Sequence, residues 1–191
     1  IPSGETSSYR SNPLGLAEFT LSRKDPGYVG RAKAAHGAAP TDAVLGAVAA
    51  ISAERGEAAP EKLSSGSAVY AVKPGDGSAR EQAASCQRVL GGNCNIAREY
   101  ATKRYRSNLI NWGMLPFLYD GDGESSFALG DVLYVPNIRE VVSSGAAEFD
   151  AYVISADGAY KKITLGLAPL TDDEKKIILC GCLINFYRAG L

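Results

Sequence analysis

The predicted fold is decided by the stretch Lys73-Pro74-Gly75-Asp76-Gly77-Ser78-Ala79-Arg80-Glu81-Gln82-Ala83-Ala84. The residues before it, 67–72, form an apolar run rich in β-formers that predicts a buried strand ending at Pro74. The residues after it, 79–90, have apolar positions at helical spacing before Gly91 and Gly92. The predicted order is therefore strand, glycine loop, helix.

A glycine loop that leads into a helix directs the free backbone N–H groups of the helix, and the positive end of its dipole, at whatever lies above them. Arg80 falls in the first turn, where an unpaired cation meets the unfavourable end of that dipole. A bound carboxylate or phosphate would remove this conflict. The stretch therefore indicates a site for an anionic substrate.

Two other interpretations of the same residues have to be considered. Ser78-Ala79-Arg80-Glu81 also satisfies the S-x-x-E capping box, which simply closes a helix N-terminus, and the local pattern alone favours this reading. A dinucleotide-binding loop would need a third glycine at position 80, where this chain has an arginine. That second alternative is weak.

Gly77-Ser78-Ala79-Arg80-Glu81-Gln82-Ala83-Ala84 resembles the G-S-S-R-E-H-A-A signature of the C-terminal swivelling domain of aconitases, of which the small subunits of isopropylmalate isomerase carry a close variant. The similarity continues in the right order through residues 96–100, 108–117 and 130–135, and residues 1–10 sit where that domain begins. By this resemblance, the chain is identified as a member of the aconitase superfamily.

The resemblance implies a role for individual residues. It makes Ser78 the general base that removes a proton from the carbon next to a substrate carboxylate, which requires an alkoxide stabilised by the helix N-terminus and a nearby cation. Arg80 would hold a substrate carboxylate through its planar guanidinium, and Arg10 would be a second clamp. Gly77 and Ala79 complete the implied substrate-binding set.

One position departs from the signature, because the family's second serine is Ala79 here. The resemblance assigns that hydroxyl to substrate contact, so the substrate is left open and citrate is not assumed. Gln82, which replaces the family's histidine, is expected to pack and not to take part in the chemistry.

The resemblance also implies a 4Fe-4S cluster in the parent enzyme, where it acts as a Lewis acid and is held by cysteines of another domain. No such ligand motif occurs here, and none of this chain's residues is predicted to bind a metal. The four cysteines are expected to be buried free thiols: Cys86, Cys94, Cys180 and Cys182. His36 is the only histidine, which leaves almost no material for a catalytic triad or a multi-histidine zinc site.

Length and composition predict a domain large enough to bury its own core. The net charge of -1 argues against a nucleic-acid binder, and no apolar run approaches the ~20 residues of a membrane helix, so we expect a cytoplasmic location. The chain starts at Ile1-Pro2 without a methionine. We therefore expect it to be a fragment of a larger enzyme.

The predicted fold class is α/β: a swivelling β/β/α domain of aconitase type, with a mixed sheet and flanking helices. Residues 1–40 are expected to form an irregular N-terminal arm, and residues 41–191 the domain itself. Thr41 and Asp42 should begin a helix ending near Glu54, and residues 156–158 should turn a hairpin. Thr171 and Glu174 predict a capping box for one long final helix that reaches Gly190.

The function implied is that of a C-terminal domain of an aconitase-like hydro-lyase, which dehydrates and hydrates a hydroxy-carboxylic acid reversibly and is inactive alone. Its expected partners are the cluster-bearing domains of the same polypeptide, or a large subunit, and a small carboxylate substrate. Two alternatives stay open: a separate small subunit of an isopropylmalate isomerase-like enzyme, and a noncatalytic binding domain on this fold.

Overall fold

The structure, a computed structural model, describes residues 1–191. It contains six strands: β1 Ser67–Ala71, β2 Gly92–Ala97, β3 Leu115–Leu118, β4 Val132–Tyr134, β5 Glu148–Ile154 and β6 Tyr160–Leu167. It contains ten helices: α1 Ser3–Ser8, α2 Pro13–Ala17, α3 Tyr28–Ala35, α4 Asp42–Glu54, α5 Arg80–Val89, α6 Lys103–Asn111, α7 Gly123–Ser126, α8 Ile138–Ser144, α9 Asp172–Cys180 and α10 Leu183–Arg188. No helix has the length and apolar character needed to cross a membrane.

The strands form one mixed sheet in the order β1-β2-β3-β6-β5-β4. The first three are parallel, because α5 and α6 return the chain to the same end of the sheet each time. The remaining pairs are antiparallel, and β5 and β6 form the predicted hairpin around Gly158. The predicted α/β class with a mixed sheet and flanking helices is confirmed.

The N-terminal region differs from expectation, since residues 1–40 contain three short helices instead of an irregular arm. Helices of five to eight residues carry too few turns to show a period and depend on packing for their stability. Leu16 and Ala17 of α2 pack with Cys86 and Leu90 at the far end of α5. This cluster holds the N-terminal region against the helix that follows the glycine loop.

The predicted long final helix is also wrong, because it is divided into α9 and α10. The capping box at Thr171 and Glu174 is present, but Gly181 ends α9 in the left-handed conformation with φ +93°. A Cβ placed on Gly113 would lie 1.9 Å from the Gly181 carbonyl oxygen, so the chain turns where two backbones meet. The periodic apolar pattern continued through this glycine and did not reveal the break.

A closed ring of hydrogen bonds joins α5, β2 and α6 inside the core. Gln87 Nε2 donates to the Tyr105 hydroxyl at 2.9 Å, which donates to Asn95 Oδ1 at 2.7 Å. Asn95 Nδ2 then donates to Gln87 Oε1 at 2.6 Å. Because all three residues are buried, the satisfied ring sets how α5 sits on the sheet and on α6.

The loop before α5 is pinned to α6. Gly75 has φ +96°, and a Cβ on it would lie 2.5 Å from the Tyr105 side chain. The Thr102 hydroxyl, which caps α6, also donates to the Gly75 carbonyl at 3.1 Å. Only glycine satisfies both the backbone angle and the close approach at this position.

Candidate functional site

Helix α5 begins one residue later than the capping-box pattern predicts. Its N-cap residue is Ala79, with φ -89° and ψ 56°, and no side chain of its own segment caps the first turn. The alternative interpretation of Ser78 and Glu81 as a capping box is therefore wrong. Ser78 lies exposed just outside the helix, and its hydroxyl is not used to close the helix end.

The first turn of α5 is instead held from α6. In the amide orientation that satisfies both of its side-chain atoms, Asn108 accepts from the Glu81 N–H at 2.9 Å and donates to the Arg104 carbonyl at 3.1 Å. Trp112 Nε1 donates to Glu81 Oε1 at 2.6 Å. The helix entrance is thus fixed by its neighbour, while its other first-turn N–H groups keep no intrahelical partner.

A cavity of about 400 Å³ opens at this entrance. It is lined by six residues from the first helix, the glycine loop and α5: Thr6, Ser7, Arg10, Ser78, Ala79 and Gln82. Five of these side chains are polar, and Arg10 is the one charged member. A small anion with several oxygens suits such a lining better than an apolar ligand does.

Arg10 reaches the cavity because of the packing of the residue before it. Tyr9 ends α1, packs on the cluster that includes Cys86 and Leu90, and contacts Phe19 with ring centroids 5.2 Å apart. Arg10 itself is exposed and takes part in none of the chain's salt bridges. The structure thus brings Arg10 and Ser78, 68 positions apart in the numbering, to one cavity.

Arg80 and Gly77 lie near this cavity but do not line it. Arg80 is half-buried in the first turn of α5, and its Nε atom is buried without a hydrogen-bond partner. Gly77 is exposed, and a Cβ placed on it would meet nothing within 4 Å. Within this chain, then, nothing nearby requires a glycine at position 77.

Three lining residues were absent from the predicted site. Thr6 and Ser7 belong to α1, and only their place in a Thr-Ser-Ser run before Tyr9-Arg10 hinted at a polar surface. Gln82 was expected to pack, yet it is partly exposed and faces the cavity one turn into α5. Its amide can both donate to and accept from a bound carboxylic acid or hydroxyl.

The chain's own side chains do not fit an iron–sulfur cluster. No group of three or more His, Cys, Asp or Glu side chains lies close enough together to hold a metal ion. Cys86 and Cys94 are buried free thiols, and Cys180 and Cys182 are partly buried. Burial raises the pKa of the Cys86 thiol, and it raises the pKa of Cys94 to about 12, so both stay protonated at neutral pH.

A second cavity of about 320 Å³ lies past the ends of β1, β2 and β3. Its lining includes Tyr70, Arg98 and the acidic turn at Asp120, Asp122 and Glu124. The Asp122 side chain caps α7, and Arg98 pairs with Asp120 at 3.9 Å. This segment is an acidic turn whose side chains are engaged with α7 and Arg98.

Comparison with known proteins agrees with this geometry. The model of the family described as "Aconitase C-terminal domain" matches residues 65–121, which contain the glycine loop, α5 and the supporting α6. The chain is 27% identical over 116 residues to "Homocitrate dehydratase, mitochondrial" of Saccharomyces cerevisiae, over 59% of this chain and 14% of that protein. The chain therefore matches a small part of this relative's length.

The fold is also found in a solved structure. The crystal structure of 3-isopropylmalate dehydratase from Methanocaldococcus jannaschii matches with a TM-score of 0.54 and 19% identity, over 94% of this chain and 78% of that one. At this identity the likeness establishes the fold alone. The resemblance that the sequence predicts is therefore confirmed: residues 65–121 match the aconitase C-terminal domain family, within a fold shared with an isopropylmalate dehydratase.

Proposed function

We propose that this chain is the part of an aconitase-like hydro-lyase that supplies the general base and a carboxylate clamp for the reversible dehydration of a hydroxy-carboxylic acid. One observation supports this most directly. Ser78, Arg10 and Gln82 line a single polar cavity at the entrance of α5, and the Ser78 hydroxyl is not used as a helix cap.

The proposed chemistry follows from these groups. As the substrate C–OH bond breaks, the Ser78 alkoxide takes the proton from the neighbouring carbon, whose electrons form the new C=C bond. A serine alkoxide needs strong stabilisation, and the first-turn N–H groups of α5 together with the Arg10 guanidinium provide positive charge at this end of the cavity. Arg10 also binds a substrate carboxylate through two parallel hydrogen bonds.

Arg80, which the resemblance names as a carboxylate clamp, is proposed to act beside Arg10. Its guanidinium is half-buried in the first turn of α5, beside the cavity, and its buried Nε has no partner. A carboxylate bound at the helix entrance would satisfy the charge of a cation that the helix dipole otherwise disfavours. Gly77 and Ala79 would then let the substrate approach the loop backbone closely.

The site is open, since Ser78 and Arg10 are both exposed. A serine alkoxide would not persist in contact with water, so a second surface has to cover the cavity during the reaction. A 4Fe-4S cluster, as the resemblance implies for the parent enzyme, would supply a Lewis acid for the departing hydroxyl. Because this chain offers no fitting ligands, we assign the cluster to another domain or to a large subunit, and we expect the isolated chain to be inactive.

The test uses the full-length protein, reconstituted anaerobically with iron and sulfide and assayed on a panel of hydroxy di- and tricarboxylates. Ser78→Ala should lower kcat by at least about a hundredfold, because it removes the base. Arg10→Lys should mainly raise KM, because it removes the bidentate clamp. Ser143→Ala on α8 and Arg188→Lys on α10 are matched controls on exposed residues outside the cavity.

A full rate in the Ser78→Ala enzyme would exclude Ser78 as the base. If the native reconstituted protein binds carboxylates but turns none of them over, a noncatalytic binding domain is favoured instead.

One observation favours the separate-subunit alternative. This chain covers 78% of the isopropylmalate dehydratase chain but only 14% of the homocitrate dehydratase. A subunit should form a complex with a cluster-bearing large subunit when the two are mixed, and size-exclusion chromatography would show it. A fragment of a longer polypeptide should be found joined to those domains in the native protein. Both alternatives use the same Ser78 and Arg10.

A further inference from the structure

The first turn of α5 can be capped in two ways, and both use the same two groups of Glu81. In a capping box, the Ser78 hydroxyl would accept from the Glu81 N–H, and the Glu81 carboxylate would accept from the Ser78 N–H. In the structure, the Glu81 N–H goes to Asn108 and the carboxylate goes to Trp112. Helix α6 therefore takes the one N–H donor that the box requires, and it holds one oxygen of the carboxylate.

We infer that Asn108 and Trp112 are positioning residues that keep the Ser78 hydroxyl out of a helix cap and available to the cavity. A Ser78 that caps α5 would direct a lone pair at the helix axis and would hold its side chain in one rotamer. In that rotamer the oxygen would point at the first turn of α5 and not at a ligand in the cavity. The catalytic half of this inference rests on the proposed function, while its structural half rests on the partners of Glu81 alone.

Helix α6 is well placed to hold Glu81, because its own position is fixed. Trp112 packs on the apolar cluster that contains Ala84 of α5 and Tyr105, Leu109 and Met114. Asn108 is fixed by its second hydrogen bond, to the Arg104 carbonyl. The buried ring of Gln87, Asn95 and Tyr105 joins α6 to α5 a second time, so the two contacts to Glu81 act between helices in a set arrangement.

The structural half is tested in the 191-residue chain with the double variant Asn108→Ala/Trp112→Phe, in which phenylalanine keeps an aromatic ring in the cluster. Released from α6, Glu81 should close the box, and α5 should then begin at Ala79. The ¹³Cα chemical shift of Ala79 should move to its helical range. Asn111→Ala, a change in the last residue of α6, is the control and should leave that shift in place.

An Ala79 shift that stays at its native value in the double variant would overturn the inference. If the double variant unfolds, as far-UV circular dichroism would show, Trp112→Phe alone gives the same comparison. In Trp112→Phe the Glu81 carboxylate is released while Asn108 still accepts from the Glu81 N–H, so the ¹³Cα shift of Ala79 should move part of the way to its helical range. An unchanged shift in this single variant overturns the inference as well.

The catalytic half is tested in the reconstituted full-length enzyme. The double variant should lower kcat by about tenfold with KM within about twofold, since the base is withdrawn while the clamp is kept. Adding Glu81→Ala removes the carboxylate arm of the box and should restore part of kcat. A purely structural role for Trp112 predicts no such gain, and a double variant with native kcat would contradict the inference.

Failure of the proposed function gives a different result. In that case Ser78→Ala keeps the native rate, while the Ala79 shift in the double variant still moves and supports the structural half.

Discussion

The buried ring of hydrogen bonds predicts a specific loss of stability for Tyr105→Phe. The substitution removes one hydroxyl and keeps the aromatic ring that contacts Gly75 and the apolar cluster. Gln87 Nε2 keeps a second acceptor, the Ala83 carbonyl at 2.8 Å. Asn95 Oδ1 loses its donor in a residue that is 1% exposed, so one acceptor is left buried and unsatisfied.

An unsatisfied buried polar group costs about 1–3 kcal/mol, so we expect the free energy of unfolding to fall by about 2 kcal/mol. For a domain of this size, this corresponds to a decrease in Tm of about 4–8 °C. The measurement is urea denaturation followed by circular dichroism, with Cm compared at constant m. Tyr187→Phe, at a side chain that is 70% exposed, is the matched control and should change the stability by less than about 0.5 kcal/mol.

If Tyr105→Phe is as stable as the native chain, the ring contributes nothing to α5 docking, and its role in placing the site has to be abandoned. A change in m would mean that the denatured or native ensemble had altered, and the comparison would then be repeated with Asn95→Asp, which keeps the size but removes the Nδ2 donor to Gln87.

Three further predictions concern the loop, the buried thiol and α9. Gly75→Ala should destabilise the chain by at least about 2 kcal/mol, because alanine is strained at positive φ and its Cβ meets Tyr105, whereas Gly77→Ala should be near neutral in urea denaturation. The free energy of unfolding should fall as pH rises from about 9 to about 12. Burial raises the pKa of Cys94 from 9.0 and of Tyr105 from 10.0, in both cases to about 12, so the unfolded chain releases these protons at lower pH than the folded chain does. Cys94→Val should remove part of this decline. Arg106→Ala should lower the free energy of unfolding by about 1–2 kcal/mol in urea denaturation, since Arg106 pairs with Glu174 of α9 at 3.2 Å and donates to two backbone carbonyls. Arg104→Ala, at an exposed side chain, is its control, and equal effects of the two substitutions would contradict the importance of this pairing.

Much of the sheet could be predicted because its signals are local. Strand β1, the following glycine loop and α5 show their own patterns of apolar residues and breakers, and Thr41 caps α4 where its sequence predicts. The hairpin of β5 and β6 follows from Asp157-Gly158 between two β-forming runs. The short α7 and α8 were not predicted, and α8 follows Asn137 in the left-handed conformation, which no nearby pattern announces.

The candidate site was predicted in part. The motif named Ser78 and Ala79, and the resemblance added Arg10, all of which line the cavity. Thr6, Ser7 and Gln82 were missed because a cavity lining depends on which surfaces meet. The packing of Tyr9 and α2 on the cluster that includes Cys86 brings α1 to this end of α5. Arg80 and Gly77 were named by the motif but stand beside the lining.

The sequence by itself determined the order of strand, loop and helix, the polar and cationic character of that loop, and the family to which residues 65–121 are matched, because these depend on neighbouring residues and short motifs. Only the tertiary structure decided how α5 is capped. The local pattern predicts a capping box of Ser78 and Glu81. In the folded chain, Glu81 is instead bound by Asn108 and Trp112 of the docked helix α6, and the Ser78 hydroxyl is not used as a cap.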